Sequence, residues 1–213
     1  MEALKQQWQD GIQALGVTPT VRLIDGGLYL LKQLLRWNRA YNLTAITDPE
    51  AILSRHLLDS LSPVPFLQGE RIADVGTGGG FPGLVLALAL PDKHFALIDS
   101  HGKKLRFVRQ MVHELGLKNV SVHHARVQAL DLRVDAIVCR AFATLPDIVD
   151  WCTHLAPGGQ LLAMKGKYPK EELAALPKRI TVQEIRPIHV PGLTADRHLV
   201  NLCLPEICDN KSE

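Results

Sequence analysis

One acid and four glycines crowd into seven residues, Asp74-Val-Gly76-Thr-Gly78-Gly79-Gly80, and these are the residue types and spacings in this chain that could do chemistry. Ile72, Ala73 and Val75 read as a short buried strand, and the glycines after it form a turn whose backbone a ligand can approach without meeting a Cβ atom. Phe81-Pro82 restarts the pattern, because proline suits the first turn of a helix, and Gly83 to Leu90 continues it as an apolar helix. A second acid, Asp99, closes the apolar run Phe95-Ala-Leu-Ile twenty-five residues after Asp74. A carboxylate at the tip of a second strand can accept both hydroxyl protons of a ribose. Strand, glycine turn and helix start therefore make a nucleotide site.

Two ligands compete for it. Gly78-x-Gly80-x-x-Gly83 fits the dinucleotide fingerprint, in which a pyrophosphate rests on a helix N-terminus. Asp74-x-Gly76-x-Gly78-x-Gly80 instead resembles the first motif of class I methyltransferases, which bind S-adenosylmethionine. The methionine end of that ligand carries an ammonium beside a sulfonium, so a carboxylate and carbonyls at the turn suit it better than a bare anion nest. Asp74 favours the methyl donor, while Asp99 serves either ligand.

The elements that must position these residues are set by periodicity. Helices are expected over 4–15 and 20–44, the second weakened locally by Gly26-Gly27, and a third from the Asp48-Pro49-Glu50 start signal to Leu61. From Arg71 onward strands are expected near 71–75, 94–99, 119–124, 134–139 and 159–164. Helices are expected between them near 81–90, 101–116, 146–155 and 170–175. Two tail strands, 180–189 and 198–204, read as an antiparallel return. The expected fold is α/β: a class I S-adenosylmethionine-dependent methyltransferase (Rossmann-like) sheet with an amino-terminal helical extension. Residues 1–66 form the extension packed on the catalytic domain, 67–208 the catalytic domain, and 209–213 a frayed tail.

Composition narrows the classes. The chain has 213 residues, 46% of them hydrophobic, yet no run of the roughly 18 apolar residues that a membrane span needs and no signal-peptide core, so a soluble cytoplasmic protein is expected. Cys139, Cys152, Cys203 and Cys208 lack CxxC spacing and the nine histidines lack ligand spacing, so free thiols and no metal are expected. Net charge is +2, but residues 103–126 carry six Lys and Arg against one acid. Such a face would attract phosphate, or simply be the solvated side of a helix, which is the preferred reading for Lys103, Lys104, Arg106 and Arg109.

The acceptor is read from the loops at the strand ends. Cys139-Arg140-Ala141-Phe142 lacks the Asp/Asn-Pro-Pro-aromatic motif of exocyclic-amine methyltransferases, and neither Cys139 nor Cys152 succeeds a proline as cytosine-C5 nucleophiles commonly do. There remains an acceptor that is already nucleophilic, such as a ring nitrogen. Guanine N7 bears no proton and needs no general base, so no catalytic residue is named.

Trp37-Asn-Arg-Ala-Tyr-Asn-Leu-Thr44, Arg55-His-Leu-Leu-Asp-Ser60, the Asp74–Gly83 turn, Arg140-Ala-Phe-Ala143, Leu162-Ala-Met-Lys-Gly166 and Arg197-His-Leu-Val200 together resemble the bacterial ribosomal small-subunit methyltransferase G family, also called glucose-inhibited division protein B. The resemblance implies S-adenosylmethionine-dependent N7 methylation of one guanine in 16S ribosomal RNA, on a class I fold with an amino-terminal helical extension; the expected partner is 16S ribosomal RNA or a small-subunit particle, with no metal and no membrane, and the expected state is a monomer. It also implies site residues: Gly76 and Phe81 at the cofactor turn, Val127-Gln128 beside the adenine, Arg140 in the cofactor site, and Lys165 and Arg197 facing RNA. Two positions depart from the family, Gly79 where Ala or Pro is common and Gln128 where Glu is common. The simpler readings are that Arg140 pairs with Asp135 or Asp147 at a strand end, that Asn42, His56 and Asp59 cap or tie down the extension, and that Trp8, Trp37 and Trp151 are core. A nicotinamide-dependent oxidoreductase is the rival activity. It is disfavoured because none of Tyr29, Tyr41 and Tyr168 has a lysine four residues on. A non-catalytic RNA-binding protein is the third reading.

Overall fold

The computed structural model describes residues 2–206; the tail 209–213 and Cys208 lie outside the described residues. Seven strands form one sheet in the order β3-β2-β1-β4-β5-β7-β6. They are β1 (Arg71–Val75), β2 (His94–Asp99), β3 (Val120–His124), β4 (Ala136–Arg140), β5 (Gln160–Lys165), β6 (Thr181–Pro187) and β7 (His198–Cys203). The first five run parallel, and β7 enters antiparallel between β5 and β6, as the expected return requires. Strand order reverses between β1 and β4, and ligands bind outside the carboxyl ends at such a switch point.

Period-two alternation sends side chains to two cores. Ile72, Ala136, Val138 and Leu162 join one core with α5 (Gly83–Ala89) and α6 (Gly102–Glu114). Ala73, Val75, Ile137 and Leu161 join the other with α7 (Leu145–Cys152). A short α8 (Lys170–Ala174) comes after β5. None of the described helices is long and apolar enough to cross a membrane.

Helices α1 (Glu2–Ala14) and α2 (Val21–Tyr41) lie on the first of these faces, in the same core as α5 and α6. The glycine pair does not interrupt α2, and it is where neighbours come close. A Cβ at Gly26 would stand 2.7 Å from Leu88, and one at Gly27 would stand 2.7 Å from the Trp8 ring, which is fully buried. The helix ends at Tyr41, short of the expected Thr44, because Asn42 takes the left-handed conformation (φ 48°), which short polar side chains tolerate. Asn38 then pins the exit by accepting from the Thr44 N–H at 2.9 Å and donating to the Thr44 carbonyl at 2.8 Å.

The third helix starts as read, with the Asp48 carboxylate accepting from Ala51 N at 2.8 Å and Pro49 in the first turn. It is not regular, however. Pro49–Ile52 (α3) widens into π geometry over Leu53–Leu58 before Asp59–Leu61 (α4) resumes the α form. Such widened turns concentrate at functional sites. This one carries Arg55 and His56 and delivers Asp59 to the crevice.

Candidate functional site

The turn after β1 is held by two carboxylates from below. Gly76 N and Thr77 N both donate to the Ile98 carbonyl at the end of β2, at 2.9 and 3.1 Å. Asp74 Oδ2 accepts from Thr77 Oγ1 at 2.6 Å and from Gly83 N at 2.8 Å. Asp99 Oδ2 accepts from Gly78 N at 2.8 Å, while its Oδ1 takes the His101 N–H at 2.7 Å and faces the His101 ring at 2.8 Å. Gly83 must be glycine, since a Cβ there would lie 2.6 Å from Asp74 Oδ2. Gly76 (φ +73°) must be glycine too, because its Cβ would meet the Phe142 ring at 2.3 Å. The Gly83 amide is spent on Asp74, which ties the start of the helix to the end of β1.

Asp74 itself is 0% exposed and lines neither of the cavities at the turn. Its Oδ1 has no hydrogen-bond partner among the described residues. Burial pushes its carboxyl up to about 6, against the pull of the Thr77 and Gly83 bonds and of Arg140. The acid expected to meet an ammonium directly lies instead beneath the turn, because its better oxygen is needed to bind the turn to the helix start.

Two cavities open on either side of this turn. The smaller, about 360 Å³, holds Asp99, Val127, Gln128, Phe142 and Trp151. Phe142 and Trp151 meet edge to face at 5.8 Å, and with the buried Val127 they make an apolar wall in a cavity that Asp99 and other polar side chains also line. Trp151, read as core, is only half-buried and forms part of this wall. The larger cavity, about 540 Å³, is lined by Phe81, His56, Asp59, Arg140, Lys165 and Arg197, with Thr44, Arg55 and Met164 among its other walls. Gly76, Gly78, Lys104 and Ala141 line both. Ala141 holds a positive φ of 50°, an uncommon conformation for a residue with a Cβ, at the point where the strand-end loop parts the two spaces.

The predicted cofactor residues therefore divide. Asp99, Val127 and Gln128 face the smaller cavity, Gly76 and Gly78 face both, Phe81 and Arg140 face the larger one, and Asp74 faces neither.

Charge in the larger cavity is organised by a residue that sequence reasoning left as a structural tie. Arg140 does not pair with Asp135, which takes Arg71 at 3.1 Å, nor with Asp147. Its Nη1 donates to Asp59 Oδ2 at 2.9 Å and to the Arg55 carbonyl at 3.1 Å, and its Nη2 donates to His56 Nδ1 at 3.4 Å. Arg197 Nε donates to the other Asp59 oxygen at 3.0 Å. Lys165 Nζ pairs with Glu172 at 2.7 Å and donates to the Ala143 carbonyl at 2.9 Å. Arg55 and Lys104 have no ion-pair partner among the described residues, and of the run Lys103, Lys104, Arg106 and Arg109 it is Lys104 that lines both cavities.

His56 stacks on Phe81 at 5.2 Å and its Nε2 lies 2.8 Å from Thr44 Oγ1. Burial, with Arg140 and Arg55 alongside, lowers its pKa to about 4, so the ring is neutral at pH 7. Because Arg140 can only donate, Nδ1 is the acceptor and Nε2 carries the proton toward Thr44. Cys139 and Cys152 are buried as expected. Burial raises the Cys139 thiol well above the ordinary range and pushes Cys152 up to about 12, so neither is a thiolate nucleophile.

A family model described as rRNA small subunit methyltransferase G (GidB) matches residues 28–200. The chain is 47% identical over 173 residues to the ribosomal RNA small subunit methyltransferase G of Escherichia fergusonii, covering 80% of this chain and 84% of that one. It is 44% identical over 200 residues to the protein of the same name from Idiomarina loihiensis, covering 92% and 97%. Among solved structures, a SAM-dependent methyltransferase from Aquifex aeolicus matches with a TM-score of 0.57 at 20% identity, over 76% of this chain and 97% of that one, a likeness of fold.

Proposed function

Because the chain belongs to the rRNA small subunit methyltransferase G family, we propose that it uses S-adenosylmethionine to methylate N7 of a guanine in 16S ribosomal RNA. The observation that carries this reading is the glycine turn standing between a cavity that pairs an apolar wall with the Asp99 carboxylate and a larger cavity rich in cations. A Cβ at Gly78 would meet nothing nearer than a carbonyl at 4.0 Å, so the turn is bare where a cofactor must lie against it.

Asp99 accepts from the ribose hydroxyls, and Val127, Phe142 and Trp151 enclose the adenine. The amide of Gln128 has no charge to offer there, so its contact is through the backbone. Gly76 and Gly78 let the chain approach the methionine end, and Arg140 takes its carboxylate. Asp74 acts through the turn it secures. Bound in this way, S-adenosylmethionine supplies an electrophilic methyl group on a sulfonium. Lys165 and Arg197 hold RNA so that N7 lies in line with that methyl, and the residues lining the cavity keep water away. N7 has a free lone pair, so no side chain has to remove a proton, and neutral His56 packs against Phe81 rather than serving as a base. Residues 1–66 act as an extension packed on the catalytic domain 67–208, and the enzyme works as a cytoplasmic monomer on 16S RNA or a small-subunit particle.

The test is transfer of labelled methyl from S-adenosylmethionine to 16S RNA, free and in particles, with mapping of N7-methylguanine. One methylated guanine that disappears when the protein is withheld is the expected result. An unchanged modification pattern in every form of the substrate overturns the proposal.

A further inference from the structure

Asp59 is 2% exposed and sits between two guanidinium groups that both line the larger cavity. A carboxylate so far from water needs its partners, and here it has one per oxygen: Arg140 at 2.9 Å and Arg197 at 3.0 Å. Two cations thus share a single anion. Arg140 spends three N–H donors on Asp59, the Arg55 carbonyl and His56, and a guanidinium has five. Arg197 spends two, on Asp59 and the Asp196 carbonyl. The share of Asp59 that one arginine takes decides how much the other still offers the cavity.

We propose that Asp59 is a positioning residue that couples the donor end of the site to the RNA end. The inference rests on the proposed function, in which Arg140 meets the donor and Arg197 meets RNA. With Arg197 in place, Asp59 divides its charge, and Arg140 keeps charge and N–H donors for the donor carboxylate. With Arg197 removed, the buried Asp59 has Arg140 as its one cationic partner and draws it in, so the donor is held less well. Coupling of this kind is a free energy shared between sites, and it runs in both directions. The link is contiguous: two ion pairs through one side chain, presented by the widened helix that also carries His56.

Calorimetric titration with S-adenosylmethionine in the absence of RNA tests it, on the full chain and with thermal melting recorded for each variant. Arg197→Gln, although on the RNA side, is expected to weaken donor binding about fivefold, and Arg197→Lys, which keeps a cation beside Asp59, to restore it to within about twofold. In an Asp59→Asn background, Arg197→Gln is expected to change donor affinity by less than about twofold, because the shared anion is gone. Arg197→Gln binding the donor as tightly as the parent overturns the proposal, as does a loss that persists undiminished in Asp59→Asn. Should Asp59→Asn fail to fold, the contrast between the Gln and Lys variants at 197 decides alone. A parent chain that does not bind the donor would instead overturn the functional reading, and the coupling with it.

Discussion

Two titrating groups beside the turn, the buried Asp74 and the half-buried His56, pull stability in opposite directions over the same range of pH. The Asp74 carboxyl rises from 3.8 to about 6 on folding, so between those values the folded state holds more protons and stability falls as pH rises. His56 falls from 6.5 to about 4, so there the unfolded state holds more protons and stability rises with pH. Each contribution is roughly 3 kcal/mol in size, from about 1.4 kcal/mol per unit of pKa difference. Asp74→Asn is therefore expected to make stability climb more steeply between pH 4 and 6.5 than in the parent, and His56→Gln to make it decline. Denaturant midpoints across that range check both; parallel profiles for all three proteins would contradict the assignment. Asp74→Ala leaves Thr77 Oγ1 and Gly83 N buried without their acceptor, a loss of about 2–5 kcal/mol at two unmade bonds. Where it folds, its donor affinity falls through the loosened turn, whereas Arg140→Ala lowers donor affinity through the lost charge.

At the scale of elements, the contacts of α2 reverse what propensity alone predicts. Alanine is a better helix former than glycine by about 1 kcal/mol, yet Gly27→Ala would drive a methyl into the Trp8 ring, which has nowhere to go. Gly26→Ala meets the end of the Leu88 side chain, which can turn aside. Gly27→Ala is thus expected to destabilise by about 1–3 kcal/mol and Gly26→Ala by less, measured by equilibrium unfolding. A stabilised Gly27→Ala would mean that the α1–α2 packing is looser than 2.7 Å implies. Nearer the end of α2, Asn38 fixes the loop that comes after it, and through Thr44 the orientation of His56.

For the molecule as a whole, a net charge of +2 says little, because attraction for RNA depends on where the unneutralised charges face. Lys165 and Arg197 carry bound carboxylates, whereas Arg55 and Lys104 on the walls of the larger cavity carry none among the described residues. Arg55→Ala and Lys104→Ala are each expected to raise KM for RNA and lower the slope of log affinity against log salt by about one. Arg55→Ala should leave donor affinity close to the parent value, since Arg55 meets Arg140 through its backbone carbonyl, which alanine keeps. A salt slope unchanged in both variants would place the phosphate contacts elsewhere.

Order, type and approximate bounds of the strands were legible in the chain, as were the glycine turn and Asp99, because alternation and turn chemistry are local: each depends on residues a few places apart. The antiparallel return of β7 came from the same local signals. The π-helical stretch was not legible, since it keeps the apolar pattern of an ordinary helix, and neither was the reason for Gly26 and Gly27, whose neighbours Leu88 and Trp8 are far away in the chain. Tertiary structure alone decided who holds whom in the larger cavity. Asp59 meets Arg140 across 81 residues and Arg197 across 138, and no periodicity or spacing encodes which cation a buried carboxylate will find once the helices close over the end of the sheet.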